Sequence, residues 1–254
     1  MMFFEYSPLL TKLAITYARV APVFFLMPFL NGNLLGSPVL KNVLIFLVAL
    51  GLSPVLPEQA IKPGWIETLA MSVGEGLIGL CVGLLLVVPI WLAHGVGSII
   101  DNQRGATLSN SMDPVNGVET SELANLFNLF SAVIFLQGGG LLLILEALTA
   151  SYRLYPPGGT LTLNFPLLLG YLDDLVGRAL VLAAPVIACL FLTEVLLGLL
   201  SRFSQQLNAF SVAMTVKSAV AFIVLLMYFP PVLRDRVLQG WDPVSFLNLL
   251  RAGS

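Results

Sequence analysis

Long apolar runs separated by short polar breaks dominate this chain. A helix needs roughly 20 apolar residues to cross a hydrocarbon core about 30 Å thick. Against that ruler the pattern predicts about six helical segments: Leu9–Leu30, Val39–Leu56, Ile66–Ile100, Leu123–Leu148, Pro166–Leu200 and Ala209–Phe229. No run shows the period-two alternation of a half-buried strand, so the expected fold class is all-α and membrane-associated. Several segments should be kinked or broken. Pro22 and Pro28 lie in the first, Pro89 in the third and Pro185 in the fifth; each removes an amide donor and restricts the residue before it. Gly138-Gly139-Gly140 predicts a flexible joint or a close backbone approach in the fourth. Pro230-Pro231 predicts the end of the sixth. Ser201–Asn208 forms a short polar apex, so the last two segments should be an antiparallel hairpin.

One polar interval is longer than a turn requires. Asp101–Glu122 reads DNQRGATLSNSMDPVNGVETSE, flanked on both sides by apolar sequence. It carries Asp101, Arg104, Asp113, Glu119 and Glu122, with a helix-breaking Gly105 and an Asp113-Pro114…Gly117 turn. Thr120–Glu122 reads as a helix start, where acids are favoured in the first turn.

Composition sharpens the picture. Hydrophobic residues make up 57% of the 254 and charged residues 10%, well below the roughly one quarter usual in soluble chains. The apolar surface must therefore be covered by lipid, by partner subunits, or by both. A net charge of −2 supplies no basic face for nucleic acid. The N-terminus has an early acidic residue and no small-residue cleavage site, so insertion is expected through the first helix rather than a signal peptide. With both ends cytoplasmic, Lys12, Lys62, Arg153, Arg234, Arg236 and Arg251 fall inside, against Lys41, Arg104 and Arg202 outside. The positive-inside rule favours that orientation.

Three charges sit deep in apolar sequence. Glu75 is expensive there unless paired, hydrogen-bonded, protonated or facing water. It reads either as a pore-lining or proton-responsive group or, with more weight, as a satisfied contact to a neighbouring helix or subunit. Glu194 and Lys217 are symmetric about the hairpin apex at Gln205–Gln206, which places them at matched depth on adjacent antiparallel helices. They are expected within salt-bridge range of each other, the competing reading being that each pairs with another subunit.

Candidate chemistry narrows quickly. Gly74-Glu75-Gly76-Leu77-Ile78-Gly79 fits the dinucleotide-binding spacing, but that mechanism needs a preceding strand and a helix N-terminus, and neither is present. Gly76, Gly79 and Gly83 are better read as small residues permitting close helix contact. His94 is the single histidine, so no multi-histidine metal site can come from this chain, and the acids of the polar interval match no ion-binding loop. Cys81 and Cys189 read as small buried hydrophobes. No catalytic residues, metal or cofactor are expected.

The stretches ARVAPVFFLMPFLN, IIDNQRGATLSNSMDPVNGVETSELANLFNLFSAVIFL and LTEVLLGLLSRFSQQLNAFSVAMTVKS resemble the SpaR/SctT group of type III secretion export-apparatus proteins, related to flagellar FliR. The likeness extends to about Phe229, and the DNQRGATLS block followed by DPxxGxxTSE is closer to the injectisome branch than to the flagellar one. The resemblance implies a non-enzymatic subunit of the export gate in the bacterial inner membrane, in a complex that projects into the periplasm. Implied partners are SctR/FliP-like and SctS/FliQ-like subunits in several copies each, an SctU/FlhB-like switch protein, an SctV/FlhA-like export-gate protein and unfolded secretion substrates. Residues 1–165 correspond to an SctR/FliP-like part, 166–229 to an SctS/FliQ-like hairpin and 230–254 to a tail. The loop matching Gly105–Gly117 plugs the channel in that family, which points here to Gly105, Ala106, Thr107, Leu108, Ser109, Asn110, Ser111, Met112 and Asp113. Asp101 and Arg104 before it, and Glu119 and Glu122 after it, are the implied anchors. A secondary transporter for a small solute is the alternative: broken helices with Glu75, Glu194 and Lys217 suit one, but no inverted repeat is evident.

Overall fold

A computed structural model describes residues 7–30, 37–55, 65–105, 121–158, 165–203 and 209–239. Among these the regular structure is entirely helical, in line with the all-α expectation. The helices are α1 (Ser7–Leu26), α2 (Pro38–Leu52), α3 (Trp65–Arg104), α4 (Glu122–Gln137), α5 (Gly140–Leu154), α6 (Phe165–Phe203) and α7 (Ala209–Gln239), with 3-10 turns at Pro28–Leu30 and Ser53–Val55.

Three departures from the apolar pattern have physical causes. Pro22, Pro89 and Pro185 lie inside α1, α3 and α6 without ending them, and α7 runs through Pro230-Pro231 to Gln239. Proline lacks a donor and crowds the preceding turn, but its fixed φ is itself helical, so a long apolar helix continues past it. The fourth apolar run is two helices, because the glycine triplet breaks it. Gly139 adopts φ +80, a left-handed conformation that costs glycine nothing. Finally, of the six expected segments, three among the described residues are helices long and apolar enough to span a bilayer, within α1, α3 and α6, or four if α4 and α5 together form one broken span. At 15 residues, α2 reaches only about 22 Å at 1.5 Å per residue.

The described residues up to Val88 and those of Leu136–Leu169 form one compact unit. In it, α2 buries Lys41, Ile45, Ala49 and Leu52, one stripe at helical spacing, and packs against α1. Ser37 caps α2 by accepting a hydrogen bond from the Val39 amide at 3.3 Å. The α1–α3 crossing is tight because α3 is glycine-rich there. A Cβ added at Gly79 would overlap the Arg19 carbonyl, and one at Gly83 would come within 2.9 Å of Val23 Cα. Small residues thus admit a close backbone approach, as their spacing predicted.

The described residues of Pro89–Phe135 and of 170–239 form the second unit. Here α4 lies antiparallel to the end of α3, with Gly97 against Ala124: an added Cβ would sit 2.6 Å from Ala124 Cα. The inward residues of α4 are Leu123, Ala124, Phe127, Ser131, Ala132 and Phe135. Within α6, Ala179, Leu182, Ala183, Val186 and Leu190 are buried, whereas Phe191, Leu192, Leu196 and Phe203 are exposed. Exposed apolar area of that extent marks a helix built to meet lipid or another protein.

Candidate functional site

The base of the long polar interval is the best-defined polar site in the second unit. Asp101, on the last turn of α3, is 1% exposed. A carboxylate buried so fully needs its lone pairs satisfied, and it has three donors. Its Oδ1 accepts from Arg104 Nε at 2.7 Å. Its Oδ2 accepts from Ser121 Oγ at 2.6 Å and from the Leu123 amide at 3.0 Å. Ser121 Oγ in turn accepts from the Ala124 amide at 3.1 Å. Asp101 therefore caps the N-terminus of α4 from the preceding helix, where the dipole favours negative charge.

One side chain thus joins the two ends of the interval, residue 101 before it and residues 121 and 123 after it. Arg104 extends the network, donating from Nη1 to Ser218 Oγ at 3.4 Å and placing its guanidinium 5.4 Å from the Phe222 ring centre on α7. Gly105 ends α3 with φ +83, its amide donating to the Asn102 carbonyl at 3.1 Å, a helix stop that favours glycine. Ala106, Thr107, Leu108, Ser109, Asn110, Ser111, Met112, Asp113 and Glu119 lie outside the described residues. Glu122 is exposed in the first turn of α4. Ser121, which the sequence reading passed over, supplies the second side chain at this base.

The charges predicted deep in apolar sequence are paired. Glu194 Oε2 accepts from Lys217 Nζ at 2.9 Å, with Lys217 12% exposed and Glu194 55% exposed. The matched depth inferred from the hairpin apex therefore does bring them together. Glu75 Oε2 accepts from Arg19 Nε at 2.5 Å, both side chains being closed to solvent. This is the satisfied contact to a neighbouring helix, supplied by α1. Arg19 also donates to Ser151 Oγ at 3.3 Å and to the Tyr155 carbonyl at 2.9 Å, and stacks 3.9 Å from the Tyr152 ring centre. One arginine thereby joins α1, α3 and the end of α5. Sequence reasoning did not single out Arg19, whose burial beside a glycine-lined crossing is visible only in the fold.

His94 on α3 has its Nδ1 3.1 Å from Asn128 Nδ2 on α4. Among the described residues no group of three or more His, Cys, Asp or Glu side chains is placed to hold a metal.

Residues 10–238 match the family model described as Bacterial export proteins, family 1. Surface presentation of antigens protein SpaR of Salmonella typhimurium is 46% identical over 239 residues, which is 94% of this chain and 90% of that protein. SpaR of Shigella flexneri is 46% identical over 211 residues, 83% of this chain and 82% of its own. Yop proteins translocation protein T of Yersinia pestis is 32% identical over 257 residues, covering 95% and 97%.

Proposed function

We propose that this chain, which belongs to the SpaR/SctT family of bacterial export proteins, is a non-enzymatic subunit of a type III secretion export gate in the bacterial inner membrane. It forms part of the protein-conducting channel and plugs it with residues 105–117. SctR/FliP-like and SctS/FliQ-like subunits surround it in several copies each, with SctU/FlhB-like and SctV/FlhA-like proteins alongside, and unfolded substrates pass through. Residues 1–165 act as the SctR/FliP-like part and 166–229 as the SctS/FliQ-like hairpin, with 230–254 as a tail.

The observation that carries the plugging role is the Asp101 closure. One buried carboxylate joins the residues on either side of the polar interval, which supplies the fixed base that a plug needs. Asp101 and Arg104 are the strong anchors in this reading, Ser121 joins them, and Glu119 and Glu122 assist from the far side. Small and hydroxyl side chains between Gly105 and Asp113 suit a narrow lumen, while Leu108 and Met112 supply soft apolar seals.

The subunit role is tested by affinity purification of the chain from membranes. Recovery of two partner subunits, each in several copies per copy of this chain, is the expected result. A chain recovered alone or as a homo-oligomer, stable in detergent, would favour the small-solute transporter instead.

A further inference from the structure

Among the described residues, other charges set well inside apolar helices have partners. Arg19 meets Glu75 and Lys217 meets Glu194, while Lys41 lies 4.3 Å from the Phe25 ring centre. Glu146, near the middle of α5, departs from that rule. It is exposed and makes no hydrogen bond or ion pair with any described residue. Its own helix cannot neutralise it, because the positions three and four residues away are Leu142, Leu143, Thr149 and Ala150. Thr149 Oγ1 is turned back to the Leu145 carbonyl at 2.8 Å. Arg153 is two turns on.

The surface around Glu146 is apolar. Leu141, Leu142 and Leu145 are 50%, 62% and 36% exposed on the same side of α5, while Ile144, Ala147 and Leu148 face inward. An aliphatic face of this kind suits lipid, but a carboxylate in its middle does not, because acyl chains cannot solvate the charge.

We infer that this face of α5 docks an apolar helix of a partner subunit that brings a Lys or Arg against Glu146. The charge selects the occupant. A second copy docked through the same patch would set carboxylate against carboxylate, which like-charge repulsion opposes. A helix with a cation among apolar residues matches both the leucines and the charge, in a low-dielectric setting where the pair is strongly coupled. The inference rests on the reading of the chain as a subunit of a hetero-oligomeric membrane complex.

The test uses the full chain, tagged and co-produced with its partners in membranes, comparing wild type with Glu146→Leu and Glu146→Lys. Because Glu146 holds no described residue of its own chain, both variants should accumulate in the membrane like wild type. Partner recovered per chain should fall several-fold for Glu146→Leu and further for Glu146→Lys. Acidic substitution of the facing Lys or Arg should restore recovery with Glu146→Lys. A photo-crosslinker at Leu142 should capture partner protein. Partner recovery unchanged in both variants, or crosslinking at Leu142 to lipid alone, overturns the inference. If wild type itself brings down no partner, the subunit reading fails first, a distinguishable outcome. Should either variant fail to accumulate, the Leu142 crosslink in wild type decides the question.

Discussion

Arg19 and Glu75 lie 56 positions apart in the chain, yet Nε and Oε2 stand 2.5 Å apart in a site where the side chains are 0% and 1% exposed. Buried opposite charges each need the other, since desolvation of either alone outweighs what remains. Arg19 also holds the Tyr155 carbonyl and the Tyr152 ring, so the pair fixes three helices of the first unit at once.

Removing one partner should therefore damage the fold severely. Glu75→Gln or Arg19→Met is expected to destabilise by about 3–5 kcal/mol, read as loss of membrane-inserted chain and a lower melting temperature in detergent. The double variant Arg19→Met/Glu75→Leu should be less harmful than either single change, because it strands no charge. Equal damage in all three would mean that the arginine's contacts to α5 matter more than the pair.

Gly79 and Gly76 separate packing from helix propensity. Alanine at Gly79 drives its methyl into the Arg19 carbonyl, whereas at Gly76 the nearest atom is the Ala18 carbonyl oxygen at an ordinary 3.7 Å. Gly79→Ala should cost about 1–3 kcal/mol through overpacking, and Gly76→Ala should be neutral or slightly stabilising. Thermal unfolding of the two variants in detergent would show the order; equal stability would contradict the tight α1–α3 crossing.

These two sites also mark how far the sequence could be read. The Glu194–Lys217 contact was legible because a hairpin with a recognisable apex fixes its own register, so depth follows from counting residues. The Arg19–Glu75 contact was not, because it depends on which face of α1 meets α3, and one-dimensional spacing contains no such information. Glycine spacing did reveal the close crossing, and the Gly138–Gly140 triplet revealed the break between α4 and α5. Pro230-Pro231 misled in the other direction: the pair looks like a stop, but α7 continues past it to Gln239. At the polar interval, Asp101 and Arg104 stood out as anchors by charge alone, while Ser121 is a small residue whose role depends on where α4 begins.

Exchange of Glu194 and Lys217 tests their pairing. The two groups lie 2.9 Å apart, but Glu194 is half exposed, so solvent screening limits the contact to about 1 kcal/mol or less in the isolated chain. Glu194→Gln and Lys217→Met should each lower the yield of assembled complex modestly. The double exchange Glu194→Lys/Lys217→Glu should recover most of it. Equal losses from all three variants would argue that each group serves a different subunit.

Asp101 should be intolerant of truncation for a local reason. Asp101→Ala removes the cap of α4, worth about 0.5–2 kcal/mol, and leaves Arg104 without its carboxylate. Asp101→Asn keeps an acceptor for Ser121 or the Leu123 amide and should lose less. Hydrogen exchange at the first turn of α4 is the direct probe: protection should fall most in Asp101→Ala. Unchanged exchange in both variants would show that α4 starts without this cap.

The plug itself is tested most directly by deleting Gly105–Gly117 and measuring ion and small-solute leak through membranes that contain the assembled complex. The expected result is a complex recovered with its full set of partners that leaks where the intact one is tight. A deletion complex that assembles, stays tight and exports normally would contradict the assignment of residues 105–117 as the seal.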